Sequence, residues 1–200
     1  MAESVNWDQR FIEQSWPSEP DPSLVDLVRP LPPGRALDLG SGPGRNAIWL
    51  AQKGWTVTAV DSSAVGLAQA ADRARAAGVI LDLVRADMEQ WSAPAAAFDL
   101  VVLANIHPRP DLRPGLYARA VAALSPGGHL FVVGHHLDNL GRGGPSDADR
   151  LFTVEKLGPD LEGVVLERLE RVERPGSGDV PDVAVVAWGR LLVTGARADS

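Results

Sequence analysis

The chain has 200 residues, 45% of them hydrophobic, which is enough for one domain with a core of its own. Nineteen basic against twenty-six acidic residues give a net charge of −7, and no basic run or face stands out to attract nucleic acid. There is no cysteine, which excludes disulfides, thiolate nucleophiles and Cys-based zinc sites. The opening MAESVNWDQRFIEQ shows no signal-peptide pattern, and no apolar run approaches the ~20 residues a membrane helix needs, so a cytoplasmic protein without a membrane partner is expected.

Residues 4–16 suit an amphipathic helix with Val5, Phe11, Ile12 and Trp16 as its apolar members, and the prolines of WPSEPDPS stop it. Ser23 to Val28 suggests a short helix that RPLPPG ends. From Arg35 strands and helices alternate. ALDL is the first strand, and Asn46 to Lys53 a helix closed by Gly54. WTVTAVD is the second strand, ending on Asp61, and Ser62 or Ser63 caps a helix running to about Ala77. VILDLV (79–84) and FDLVVLA (98–104) are the third and fourth strands. A helix from about Pro114 to Leu124, an SPGG turn and the strand HLFVVG (129–134) follow. Beyond the loop DNLGRGGPSDAD and a short helix from Thr153, VVLERLERVER and VAVVAWGRLLV flank a PGSGDVPD turn. The pattern predicts an α/β fold: a Rossmann-like, seven-stranded, mostly parallel sheet with helices on both faces and a C-terminal antiparallel hairpin. Residues 1–30 read as an N-terminal helical lid segment, and 31–200 as the rest of a single domain.

Between the first strand and its helix stands LGSGPGRN. Gly40, Gly42 and Gly44 let backbone approach a ligand closely or turn through positive φ. The helix that starts there aims its open N–H groups and positive dipole end into the same space. A dinucleotide fingerprint requires G-x-G-x-x-G/A. From Gly40 the chain reads G-S-G-P-G-R, placing Arg45 where Gly or Ala belongs, and starting at Gly42 leaves the strand too far upstream. A nicotinamide dinucleotide does not fit.

The spacing DLGSGPG, Asp38 to Gly44, resembles motif I of the class I S-adenosylmethionine-dependent methyltransferases, and the likeness runs in order from residue 35 to about residue 135. It implies S-adenosylmethionine as cofactor and S-adenosylhomocysteine as product. By the same resemblance Asp38 sits near the methionine ammonium, and Gly40, Gly42 and Gly44 lie against the methionine and ribose. Asp61 accepts the ribose hydroxyls, and Asp87 in RADM meets the adenine amino group with Met88 beside the ring. Ser62 and Asn105 complete the candidate cofactor residues. Carboxylates suit an ammonium or a vicinal diol because charge-assisted hydrogen bonds are the strong ones. DLGSGPGRNAIWLAQKGWTVTAVDSSAVGLAQA further resembles the small bacterial tellurite-resistance and thiopurine methyltransferase-like group, as do W-D-x-R-F (7–11) and WPSEPDP in the N-terminal segment. That resemblance implies a small-molecule acceptor, a thiol or chalcogen oxyanion or a small oxygen or nitrogen nucleophile. It also implies Trp7 and Trp16 on a lid over the cofactor.

Acceptors are expected above the ends of the fourth and fifth strands. NIHPRPD offers Asn105, His107 and Arg109, and GHHLDN offers His135, His136, Asp138 and Asn139. His107, His135 and His136 are the candidate catalytic bases, although each suits equally well the holding of a loop carbonyl. Neighbouring strand residues face opposite ways, so His135 and His136 do not converge on a metal, and none is expected. His129 lies at the opposite edge. The loop 138–149 reads as a rim of the acceptor site. N-I-H-P departs from the N-P-P-[YF] of amino-methylating nucleic-acid enzymes, so no nucleic-acid partner is expected. The alternative is a non-catalytic S-adenosylmethionine-binding module, which predicts a degraded glycine motif or a lost ribose acid, and neither is seen. The sequence is silent on oligomeric state.

Overall fold

The computed structural model describes residues 6–174 and 181–192, so the first two positions of the expected N-terminal helix, 4 and 5, and most of the PGSGDVPD turn lie outside the described residues. The chain divides into two compact units, residues 1–91 and 92–200.

In the first unit, α1 (Trp7–Glu13) starts on an Asn6 cap whose side chain accepts from the Gln9 N–H. α2 (Pro22–Val28) starts on Asp21, with proline in the first turn, where its missing N–H costs nothing. β1 (Arg35–Leu39), β2 (Thr56–Asp61) and β3 (Asp82–Arg85) pair in parallel, Asp38 opposite Ala59 and Asp61 opposite Arg85. α3 (Arg45–Gln52) and α4 (Ala64–Ala76) are the crossovers. Of the two candidate serines it is Ser63 that caps α4, its hydroxyl accepting from the Gly66 N–H.

The second unit holds β4 (Phe98–Ala104), α5 (Arg113–Ala123), β5 (Leu124–His135), α6 (Val154–Leu157), β6 (Val165–Arg174) and β7 (Asp182–Arg190). β4 and β5 are parallel, whereas β7 runs antiparallel to both β5 and β6. Seven strands take the order β3-β2-β1-β4-β5-β7-β6, the expected Rossmann-like sheet, mostly parallel with an antiparallel C-terminal end. Leu37, Val60, Leu100, Val102, Phe131 and Val133 are fully buried, as strands covered on both faces require.

Two boundaries differ from the expectation. The third strand begins at Asp82 rather than Val79, because the Val79 N–H is spent on the Ala74 carbonyl at the end of α4 and Ile80 is 90% exposed. SPGG is no separate turn. Its residues are absorbed into β5, where the register against β4 shifts between Phe98 and Leu100.

Candidate functional site

In the first unit three acids gather at the carboxyl end of the parallel strands: Asp38 near the end of β1, Asp61 closing β2, and Asp87 two residues past β3. Asp38 is 2% exposed, and its Oδ2 meets no hydrogen-bond partner. Burial pushes its carboxyl up to about 7, the Asp61 charge acting the same way and Arg45 against it. Asp61 is held at both oxygens, Oδ2 accepting from the Gly42 N–H at 2.7 Å and Oδ1 from the Ser63 N–H at 2.8 Å. Burial nevertheless raises its pKa above the ordinary carboxylate value.

Gly40, Gly42 and Gly44 all adopt positive φ, and Gly44 caps α3 in the left-handed conformation without any side chain. The Ser41 hydroxyl between them is buried and has no hydrogen-bond partner. Arg45 approaches the buried carboxylate of Asp21 at 3.9 Å, tying the start of α3 to the start of α2. Ser62 is exposed, and its carbonyl accepts from Arg85 Nε at 3.4 Å. Asp87 is exposed and accepts from the Glu89 N–H (2.9 Å) and Gln90 Nε2 (3.1 Å), organising the turn that carries Met88.

Helix α1 is docked on this turn. The Ser63 hydroxyl donates to Asp8, as does the Val65 N–H at 3.2 Å, and together they hold the Asp8 carboxyl below its ordinary range. Gln69 Nε2 donates to the Phe11 carbonyl at 2.9 Å. The Phe11 ring fills the space over Gly42, where φ is +51° and a Cβ would stand 3.0 Å from Phe11 Cζ. Trp7 and Trp16 pack against Phe11 with tilted rings, their centroids 5.8 Å and 5.0 Å away. Asp8, Phe11, Ser41 and Ser63 escape a reading for ligand residues. The signal for Asp8 and Phe11 was the W-D-x-R-F string itself.

In the second unit Asn105 ends β4 at φ +58°, donating its N–H to the Val133 carbonyl at 2.7 Å and leaving its buried Oδ1 without a partner. His107 is half-buried and used at both ring nitrogens: Nδ1 donates to the Arg150 carbonyl (3.0 Å), and Nε2 accepts from the His135 backbone N–H (3.2 Å). Burial pushes it down to about 3, so it is neutral. The His135 ring stacks on it with centroids 5.4 Å apart. His135 Nδ1 lies 3.2 Å from Asp182 Oδ1 at the start of β7. His136 points elsewhere, its Nδ1 capping a 3-10 turn at Leu137–Asn139 by accepting from the Asp138 N–H. Arg109 pairs with its exposed neighbour Asp111. The loop 138–149 packs on His135, since a Cβ on Gly144 (φ +79°) would stand 2.7 Å from His135 Cδ2. The structure thus brings His107 and His135 together and sets His136 apart; Asp182 was missed. Among the described residues, no three His, Cys, Asp or Glu side chains group as a metal site, and no helix is long and apolar enough to cross a membrane.

Residues 36–128 match the family described as Methyltransferase domain. Over 106 residues the chain is 32% identical to the Ribosomal RNA small subunit methyltransferase C of Alcanivorax borkumensis. That match takes in 50% of this chain but 32% of the relative, so the chain spans about a third of the relative's length. Among solved structures it is similar to one described as "Conversion of a Disulfide Bond into a Thioacetal Group during Echinomycin Biosynthesis", with TM-score 0.78, 20% identity and coverage of 95% of this chain and 92% of that one. It is similar to the N-methyltransferase NodS of Bradyrhizobium japonicum in complex with S-adenosyl-L-homocysteine (TM-score 0.72, 20% identity, 94% and 99% covered). It is similar also to TehB of Haemophilus influenzae (TM-score 0.74, 16% identity, 92% and 66% covered). At these identities the likeness is one of fold. The chain shares the fold of these structures, and its residues 36–128 match the methyltransferase domain family.

Proposed function

We propose that the chain is an S-adenosylmethionine-dependent methyltransferase acting on a small-molecule acceptor, a thiol or chalcogen oxyanion or a small oxygen or nitrogen nucleophile. The observation that carries this reading is the buried Asp38 carboxylate with Oδ2 unpartnered at the carboxyl end of β1. A buried carboxylate lacking its hydrogen bonds is costly, and a cationic donor on a ligand supplies what is missing. The methionine ammonium is such a donor. Ser41 Oγ offers a second open polar atom beside the glycines. Asp61 spends one acceptor site of each oxygen on backbone N–H groups and keeps others for a vicinal diol. Asp87 and Met88 take the adenine end, with Ser62 beside the ribose acid. The residues present fit the cofactor.

When bound, that cofactor supplies an electrophilic methyl group. The chain's part is to orient it through Asp38 and Asp61, to let backbone approach at Gly40, Gly42 and Gly44, and to align an acceptor in a site shielded from water. The ribosomal RNA relative favours a second reading, an RNA acceptor, but the net charge of −7 and the absence of an N-P-P-[YF] run argue against it.

Calorimetric titration with S-adenosylmethionine and S-adenosylhomocysteine, with NAD as control, tests the reading. Binding of both sulfur ligands and not of NAD is expected, weakened by about 1–3 kcal/mol in Asp61→Ala through loss of a charged acceptor. Failure of the wild-type chain to bind either sulfur ligand would sink the enzyme assignment. Binding without methylation of any acceptor would leave the non-catalytic module.

A further inference from the structure

Helix α4 carries no acid of its own in the first turn, where one would meet the positive end of the helix. Asp8, 55 residues before the Ser63 cap, supplies it. Its Oδ1 accepts from the Ser63 hydroxyl and, at 3.2 Å, from the Val65 N–H. The same hydroxyl accepts from the Gly66 N–H at 2.9 Å. Three residues further along α1, Phe11 is buried with its ring between two glycines. A Cβ on Gly42 would stand 3.0 Å from the Phe11 Cζ, and a Cβ on Gly66 3.0 Å from its Cε2. A glycine inside a helix costs about 1 kcal/mol against alanine, and at Gly66 it makes room for this ring.

Both residues that α1 grips in this way donate to Asp61. The Gly42 N–H reaches its Oδ2 at 2.7 Å, and the Ser63 N–H its Oδ1 at 2.8 Å. Asp61 is itself buried, so these bonds decide where the remaining lone pairs of the carboxylate point. Ser63 is thus shared: its hydroxyl faces Asp8 and its N–H faces Asp61. A carboxylate meets two vicinal hydroxyls well in one orientation only, and such a side chain keeps its geometry through the groups that lock it.

We infer that Asp8 is a positioning residue: through Ser63, and with Phe11 seated on Gly42, it fixes the Asp61 carboxylate for the vicinal diol of the cofactor's ribose. This rests on the methyltransferase reading above and deepens it. Helix α1 then raises cofactor affinity through Asp61, without needing a contact of its own to the ligand. Linkage is reciprocal, so a bound diol steadies α1 in return.

S-adenosylhomocysteine and its 2′,3′-dideoxyribose analogue, titrated calorimetrically into the full chain, separate this role from a merely structural one. Asp8→Ala removes the acceptor on α1, whereas Ser63→Ala removes the hydroxyl and leaves the backbone N–H on Asp61. Each is expected to weaken the natural ligand roughly three- to tenfold, the net worth of about one hydrogen bond, and to leave the analogue within about twofold. In an Asp61→Asn background neither change should cost anything further. Hydrogen exchange gives the reciprocal readout: protection of residues 7–13 should rise with S-adenosylhomocysteine and not with the analogue. Equal losses on both ligands, or protection raised by both, make α1 a cover over the site and overturn the inference. No loss on either ligand, an undiminished loss in the Asp61→Asn background, or a wild-type chain that does not distinguish the two ligands overturns it as well. Absence of S-adenosylhomocysteine binding in the wild type overturns the methyltransferase reading instead.

Discussion

Asp38 has a chemistry that its place in the chain does not advertise. A carboxyl held near 7 in the folded state, against about 3.9 when unfolded, binds its proton more tightly in the native protein. Native stability is then fully supported below about pH 4 and is lost as pH rises toward 7, at up to about 1.4 kcal/mol per pH unit across that window. Urea unfolding from pH 4 to 8 should show this fall in the wild type, and its slope should be shallower in Asp38→Asn, with the upward-shifted Asp61 accounting for what remains. An ammonium at Oδ2 favours the charged form, so binding S-adenosylmethionine at pH 6 should release close to one proton. Calorimetry in buffers of different ionisation enthalpy reads that directly, and no release would mean that Asp38 does not meet the ammonium.

At the scale of elements, the seven residues of α1 are too few to form a stable helix alone. Docking through Phe11, Asp8 and Gln69 supplies its stability, and burying one phenylalanine is worth roughly 1.5–3 kcal/mol. We therefore expect Phe11→Ala to remove amide-exchange protection from residues 7–13 while β1, β2 and α4 keep theirs. If α1 serves as the lid expected of the N-terminal segment, the same change weakens S-adenosylmethionine about tenfold, or 1.4 kcal/mol. Lost protection with unchanged affinity would make α1 a strut. Gly42→Ala should act from the other side, by strain at φ +51° and by crowding the ring, at about 1–3 kcal/mol. Element boundaries were legible wherever local chemistry decided them. β4 runs over the expected residues Phe98 to Ala104, and α6 follows its Thr153 cap. They were illegible where a neighbour decided. β3 starts late because α4 takes the Val79 N–H, and SPGG is drawn into β5 by pairing.

Across the whole molecule the same division separates the acids of the glycine turn from the pair at His135. Asp38 and Asp61 could be read because one βαβ unit fixes their spacing, whereas Asp182 depends on a strand register set far along the chain. Charge follows a global pattern too. The arginines of β6 are each matched by an acid: Arg168 with Glu170, Arg171 with Asp138 and Glu173, and Arg174 with Asp182. The strand richest in cations therefore presents pairs rather than a basic strip. Phosphate-binding surfaces gain affinity by releasing counterions, and a chain of net charge −7 with the arginines of this strand paired has little to gain that way there. Fluorescence anisotropy with a labelled short RNA hairpin, measured from low to physiological salt, should show no saturable binding at micromolar protein. An RNA substrate requires the opposite, an affinity that falls steeply as salt rises, with a slope of about −0.7 to −0.9 per phosphate contact. Such a slope would move the acceptor from small molecules to RNA while leaving the cradle at Asp38 and Asp61 in place. The two conclusions rest on different observations, and this measurement separates them.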